Sequence, residues 1–372
     1  MQKRIIVKAG FHERNNRPVS CNIEEGLKSV KLTDAKEDIE IPCQLEGGRL
    51  CWVVNNLESG KEKEYLVTGK AGRPFGNIDL DEKPGIIDIR TGKGLFASYH
   101  FGNVVRPFLN PVMGPDNKSV LREIVEKEDS PEHDHRHQRG ILVAHGDVNG
   151  VDDWSEEEGH GSIRHDAFRE IVSGPVCAKI TAENSWLSRE GTKVLSETRE
   201  MRFYSLAEAG IIDFIITFRA AEGRVVFGDT KEGGIISVRV ATTLRGDRQG
   251  KIETSSGGIG EKESWGKRAH WCDYSGKLGS GTAGLAVFDN PANFRYPGYW
   301  HVRDYGLMTA NPFALSYYYD DKNRNGSHAV EAGQDLIFRY RVFIHKGDTK
   351  EAGVAGAFNN YINPPEIIIK AD

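Results

Sequence analysis

No apolar run in the 372 residues approaches the ~18 that cross a bilayer as a helix, which excludes a helical membrane protein. There is no GxxxxGK[ST] phosphate loop. Gly279 to Gly284 fits GxGxxG by letter only, with no βαβ unit around it, so a dinucleotide fold is excluded. A basic excess is missing too. The net charge is −5 and the pI about 6.2, against an electrostatic nucleic-acid binder. The five cysteines, Cys21, Cys43, Cys51, Cys177 and Cys272, are scattered and form no CxxC. They read as reduced packing residues, and the N-terminal sequence carries no signal-peptide core, so a cytoplasmic protein is expected.

What is abundant is glycine, 42 residues, punctuating short runs rich in β-branched and aromatic side chains. That pattern predicts an all-β protein. Residues 4–9, 18–23, 50–54 and 64–68 read as short strands of a β-rich N-terminal region spanning 1–80, with 74–84 as the linker. From residue 81 to 372 the predicted strands lengthen, at 163–172, 176–187, 194–204, 211–221 and 336–345. Strands of about ten residues with turns between them predict one large antiparallel sandwich. The run Ile211 to Phe218 is apolar on both faces and is expected to be central. Only 349–361 reads as a helix, closed by Asn363-Pro364-Pro365.

Four stretches carry chemistry. Residues 132–154 hold four of the chain's 12 histidines, at 133, 135, 137 and 145, beside carboxylates, Arg139 and a Gly/Asn/Asp turn through Asp147 and Asn149. As extended backbone, His133, His135, His137 and Arg139 would share one face. Such a cluster titrates near neutrality, or holds a divalent metal through His135 and His137 with a carboxylate, or binds a polyhydroxylated ligand. A second stretch, Gly228 to Gly234, places Asp229, Lys231 and Glu232 between two strands, where a lysine can steady an oxyanion while a carboxylate moves a proton. The third, Arg268 to Tyr274, and the fourth, Asn293 to Tyr305, interleave Trp and Tyr with Arg, His and Asp. Rings that stack on sugar C–H faces and forks that bind hydroxyls have this composition.

Taken together, Asp134-His135, His137, Arg139-Gly140, His145 to Gly150, Asp152, Trp154, Gly228 to Gly233, Trp271 to Gly276 and Trp300 to Gly306 resemble the bacterial PmoA-like family. Arg106-Pro107 and Asn110-Pro111 fit the approach to its histidine motif, while Gln138 and Gly298 depart from the pattern. The resemblance spans about residues 85 to 345. It implies a β-supersandwich similar to galactose mutarotase, a fold class that binds carbohydrates on a concave sheet; fold analogy alone gives no activity. The family's methane-oxygenase label is set aside because the chain has no apolar spans.

The expectation is therefore a carbohydrate-active enzyme working by His/carboxylate acid–base chemistry on a sugar or ketosugar derivative, as an isomerase, a lyase or hydratase, or a glycoside hydrolase. His145 or His301 would be base or acid, Lys231 and Arg303 would steady the anion, and Glu232 or Asp273 would be the partner acid. Trp154, Trp271 and Trp300 would form the platform, with Arg139, Asp147, Asn149, Arg268, Tyr274, Arg295 and Tyr305 contacting substrate. The alternatives are a non-catalytic carbohydrate-binding protein and a soluble metal-dependent oxygenase. The expected partner is a small carbohydrate, with no nucleic acid and no membrane; oligomeric state is left open.

Overall fold

The computed structural model describes all residues except 1, 24–28, 70–71, 74, 125–133, 207–208 and 372. His133, Glu132 and Pro74 thus lie outside the described residues. The chain divides into two compact units. The first takes Met1–Asp79, Ser173–Ala178 and Gly353–Asp372; the second takes Leu80–Val172 and Lys179–Ala352.

The first unit is built from a five-stranded and a three-stranded antiparallel sheet. Alternation decides its core: Arg49–Val54 shows the burial pattern eBiBiB, which puts Leu50, Trp52 and Val54 inside. Trp52 meets Tyr65 edge-on at 5.7 Å. The closing strand Glu366–Ala371 pairs antiparallel with Gln2–Lys8. The helix Val354–Ile362 begins later than the sequence pattern predicted, after Gly353, whose φ of 63° only glycine adopts cheaply. Arg14, buried beside it, donates to the Ala9 carbonyl and to Asn360 Oδ1.

The second unit contains a nine-stranded and an eight-stranded sheet, the all-β supersandwich expected. Contacts between them show that they pack face to face. Phe96 of one meets Phe203 of the other at 6.4 Å, and the Tyr274 hydroxyl donates to the Arg303 and Leu307 carbonyls. Ala209–Arg219 lies between Lys193–Ser205 and Asp335–Lys346, as its two apolar faces predicted.

Strand registry in the nine-stranded sheet decides where side chains go. Directly paired residues point the same way, and the neighbours of each along the strand point oppositely. Tyr99, Leu109, Ile141, Val238, Met308 and Val302 form one continuous row. Tyr99 meets Phe168 of the other sheet at 6.4 Å, so this row faces the interior. The next row is His100, Phe108, Leu142, Ser237, Thr309 and His301, and it faces outward. Arg239, Leu307 and Arg303 follow on the same outer face.

Candidate functional site

The outer row ends on a buried imidazole. His301 Nδ1 lies 2.7 Å from the Lys231 carbonyl, so Nδ1 carries the hydrogen and Nε2 the lone pair. Burial first, against help from that bond, pulls its pKa down to about 4. Next along the row, Thr309 Oγ1 donates to Ser237 Oγ at 3.1 Å. Two charged pairs flank His301. Lys231 is bonded to Glu232, and Arg303, two residues along the strand, pairs with Glu261 at 3.2 Å. Trp265 meets the His301 ring edge-on at 6.4 Å.

Tyr305 joins this group to the histidine segment. His135 stacks on its ring at 4.7 Å with an interplanar angle of 9°, and the Arg239 and Arg303 guanidinium carbons lie 4.6 and 5.8 Å from the ring centre. Residues 134–137 are bend and turn and 138–139 irregular rather than strand, with His135 at φ 45°. The expectation of one histidine face on extended backbone is therefore wrong. Two buried arginines impose the conformation instead. Arg122 donates to the carbonyls of Asp134, His135 and Gln138, at 2.7, 3.1 and 3.1 Å. Arg239 donates to Gln138 Oε1 at 2.5 Å and to both Asp134 carboxylate oxygens at 2.9 Å. Backbone carbonyls without a ladder partner are satisfied by these forks.

On the other side of the segment, His137 meets Trp154 edge-on at 5.2 Å. Burial, then Arg106 and His135, lower its pKa to about 4. Arg139 and Arg106 both pair with Glu156, which holds that carboxyl below its ordinary value despite burial. Behind Arg106 lies Asp153, fully buried and with neither carboxylate oxygen hydrogen-bonded; burial pushes its pKa up to about 8.

Other expected site residues go elsewhere. His145 is fully buried between Phe227 and Phe313, at 5.9 and 5.1 Å, and Phe227 packs on Phe218 of the eight-stranded sheet. The bulge between Leu142 and Ala144 moves it off the outer row. Asp273 sits in the eight-stranded sheet, fully buried, 2.8 Å from His345 Nε2. Gly284 makes that pair fit, since a Cβ there would stand 2.5 Å from the His345 ring. Trp271 and Tyr274 share that strand. Trp300 points to the opposite side from His301, and its Nε1 donates to the Ala269 carbonyl. Trp154 is buried against Gly233, so the three tryptophans form no common platform. Arg268 and Arg295 tie loops together through backbone carbonyls, Arg268 to Pro297 and Arg295 to Pro312 and Gly326. Asp147 and Asn149 shape a turn: Asp147 accepts from the Gly150 N–H, and Asn149 holds the Arg224 and Val226 backbone.

The outer face thus gathers His301, Lys231, Glu232, Arg303, Tyr305, His135, His137, Arg139 and, at its edge, Trp154. Sequence reading did not single out Arg239, Trp265, Glu261, Ser237 or Thr309. Arg239 had a signal, being one arginine in the run Ile235 to Val240, which is apolar apart from it and Ser237. A cavity of about 360 Å³ lined by Phe96, Met113, Leu206, Ile344 and Lys346 contains none of these groups. The chemistry rather than that volume locates the site. Among the described residues no three His, Cys, Asp or Glu are placed to hold a metal. No helix among them is long and apolar enough to cross a membrane.

Residues 87–359 match the family described as a family of unknown function, DUF6807. The chain belongs to that family. The resemblance to the PmoA-like family is corrected by this match, which is to DUF6807 instead. No curated protein matches the DUF6807 chain in sequence. Among solved structures, a glycosyl hydrolase family 38 protein from Enterococcus faecalis is 8% identical with a TM-score of 0.44, covering 100% of this chain and 47% of that one. An alpha-mannosidase from Enterococcus faecalis is 8% identical with a TM-score of 0.48, covering 100% and 46%. A family 36 alpha-galactosidase from Geobacillus stearothermophilus is 9% identical with a TM-score of 0.34, covering 73% and 40%. The chain spans less than half the length of each, and nothing about activity follows from likenesses this distant.

Proposed function

We propose that the outer face of the nine-stranded sheet binds a saccharide and that His301 accepts a proton from it. One observation supports this most. Two segments, 231–232 and 301–305, bring an imidazole lone pair, two partly exposed cations and a tyrosine ring to one sheet face, where Glu261 pairs with Arg303 and the His135 ring stacks on Tyr305. The His301 tautomer is fixed by the Lys231 carbonyl, so Nε2 is the basic atom. At neutral pH it is uncharged and able to accept. Lys231 and Arg303 stand where they can steady an enolate or alkoxide formed on the sugar. Glu232, salt-linked to Lys231, is the partner carboxylate. Tyr305 and Trp265 supply ring faces and edges for C–H contact.

The test is turnover on a panel of glycosides and ketosugars by the wild type and by His301→Ala. Activity is expected to disappear in the variant. Full activity there would remove His301 from the chemistry.

A second reading, a carbohydrate-binding protein without catalysis, is favoured by one feature. Asp273, expected as the acid, lies in the other sheet, and Glu232 is already paired. Saccharide binding with no turnover across the panel would select it.

A further inference from the structure

We infer that the chain self-associates through the edge strand Glu366–Ala371, which pairs antiparallel with the same strand of a second copy, independently of any saccharide.

The open edge is the first observation. The five-stranded sheet of the first unit runs from Glu366–Ala371 through Gln2–Lys8, Glu62–Thr68 and Lys31–Asp34 to Ile39–Ile41. Glu366–Ala371 pairs with Gln2–Lys8 over six consecutive positions without a bulge. Among the described residues no strand takes its other side. A straight row of backbone donors and acceptors is left open there, the template on which a further strand adds. The far edge is blunted, since Ile39–Ile41 has three residues and Pro42 follows. No proline interrupts Glu366–Ala371, and no charge on it points to the core.

The second observation is an unfinished core row. Ile5 and Tyr65 are directly paired and buried, and Ile369 continues their row at 38% exposed. Ile367, on the same face, packs against the core of the unit. An apolar side chain placed beside Ile369 from beyond the edge would complete the row.

The third observation selects the occupant. Glu366-Ile367-Ile368-Ile369-Lys370 is its own antiparallel complement. A two-fold axis at Ile368 sets Glu366 opposite Lys370 of the second copy, twice, and Ile367 opposite Ile369, twice. Ile367 of each copy then covers Ile369 of the other. Sliding by two residues sets a charge opposite Ile368, and sliding by one sets core-facing side chains against outward-facing ones. Like charges at the two ends of the strand would repel a second copy, whereas a glutamate and a lysine in these places attract one. Within one copy Glu366 meets Lys8 at 3.3 Å in an exposed pair, which a second lysine can share at little cost. Lys370 stands opposite Arg4, a like charge, so a carboxylate on its other side is favourable.

The experiment is sedimentation velocity on the full chain from micromolar to submillimolar concentration. The wild-type mass is expected to climb from 41.4 kDa toward twice that value. Lys370→Glu and Glu366→Lys each set like charges opposite one another at both ends of the pairing, and each variant is expected to remain a folded monomer. A one-to-one mixture of the two variants restores opposite charges in both places and is expected to associate. A wild type that stays monomeric throughout would overturn the inference. So would a dimer that both variants retain, or two monomeric variants whose mixture does not associate.

Discussion

Two histidines of this protein are alike in almost every local respect and differ in what surrounds them. His145 and His301 are both buried, both hydrogen-bonded through one nitrogen to a carbonyl of the 228–231 segment, and both depressed to about 4. His145 faces aromatic rings between the sheets, and its Nδ1 has no partner. His301 faces outward among Ser237, Thr309, Lys231 and Arg303. Burial alone shifts a pKa in either setting; what makes one of them a candidate base is the sheet face it occupies.

The sharpest way to break this comparison is to remove each ring in turn. His301→Ala is expected to lower turnover by ~10²–10⁴-fold, the usual contribution of a positioned base, beyond the stability it costs through the space left and the unpaired Lys231 carbonyl. His145→Ala is expected to cost about 2–4 kcal/mol of stability, through a cavity and an unpaired Gly228 carbonyl, while activity per folded molecule holds. Denaturant titration and steady-state rates check both. Lost activity in fully folded His145→Ala would reverse the assignment.

Arg239 comes next. Arg239→Met would leave Gln138 Oε1 without its donor and Asp134 with Arg122 and the His135 ring. A loss of roughly 2–3 kcal/mol is expected, below that of a wholly buried pair because Asp134 is 32% exposed. In the NMR spectrum the His135 ring is expected to lose the upfield shift given by the Tyr305 stack. Arg239→Lys should behave similarly, since a lysine has no fork. An unmoved His135 signal would mean that the segment holds itself.

The same two-setting contrast predicts a pH profile. His137, His145 and His301 are all depressed to about 4, below the ordinary 6.5. Between those values the unfolded chain binds protons that the folded one refuses. Stability is therefore complete above 6.5 and falls as pH drops toward 4. Asp153 acts oppositely: its folded pKa is raised to about 8 from 3.8, so the unfolded chain ionises first and stability falls as pH rises from 4 to 8. Melting temperature should peak near 6.5. Asp153→Asn should flatten the alkaline limb and leave the acid limb. A profile with no acid limb would show that these imidazoles are hydrated.

Ser237→Ala should give the smallest effect, about 1 kcal/mol, from one neutral hydrogen bond to Thr309.

Much of the architecture could be read beforehand, because period-two alternation writes a strand's buried face into its own residues. Arg49–Val54 behaves as that pattern dictates, and the two apolar faces of Ala209–Arg219 mark it as a central strand. The site was legible only in pieces. Residues 134–139 looked like a strand because their polar and basic residues alternate. Their conformation is imposed by Arg122 and by Arg239, the latter 105 residues away in sequence from Asp134, and no local pattern encodes that contact. Asp273 and His301 both belong to dense aromatic and charged stretches, yet they lie in different sheets. Which sheet receives a strand is a matter of topology, and composition is silent about it.

The most direct measurement is the movement of histidine ring signals in ¹H–¹³C NMR spectra during saccharide titration. The account expects His301 and His135 to shift together, with His145 and His345 still. Shifts confined to His145 or His345, or no shift at the outer face at saturating ligand, would contradict it.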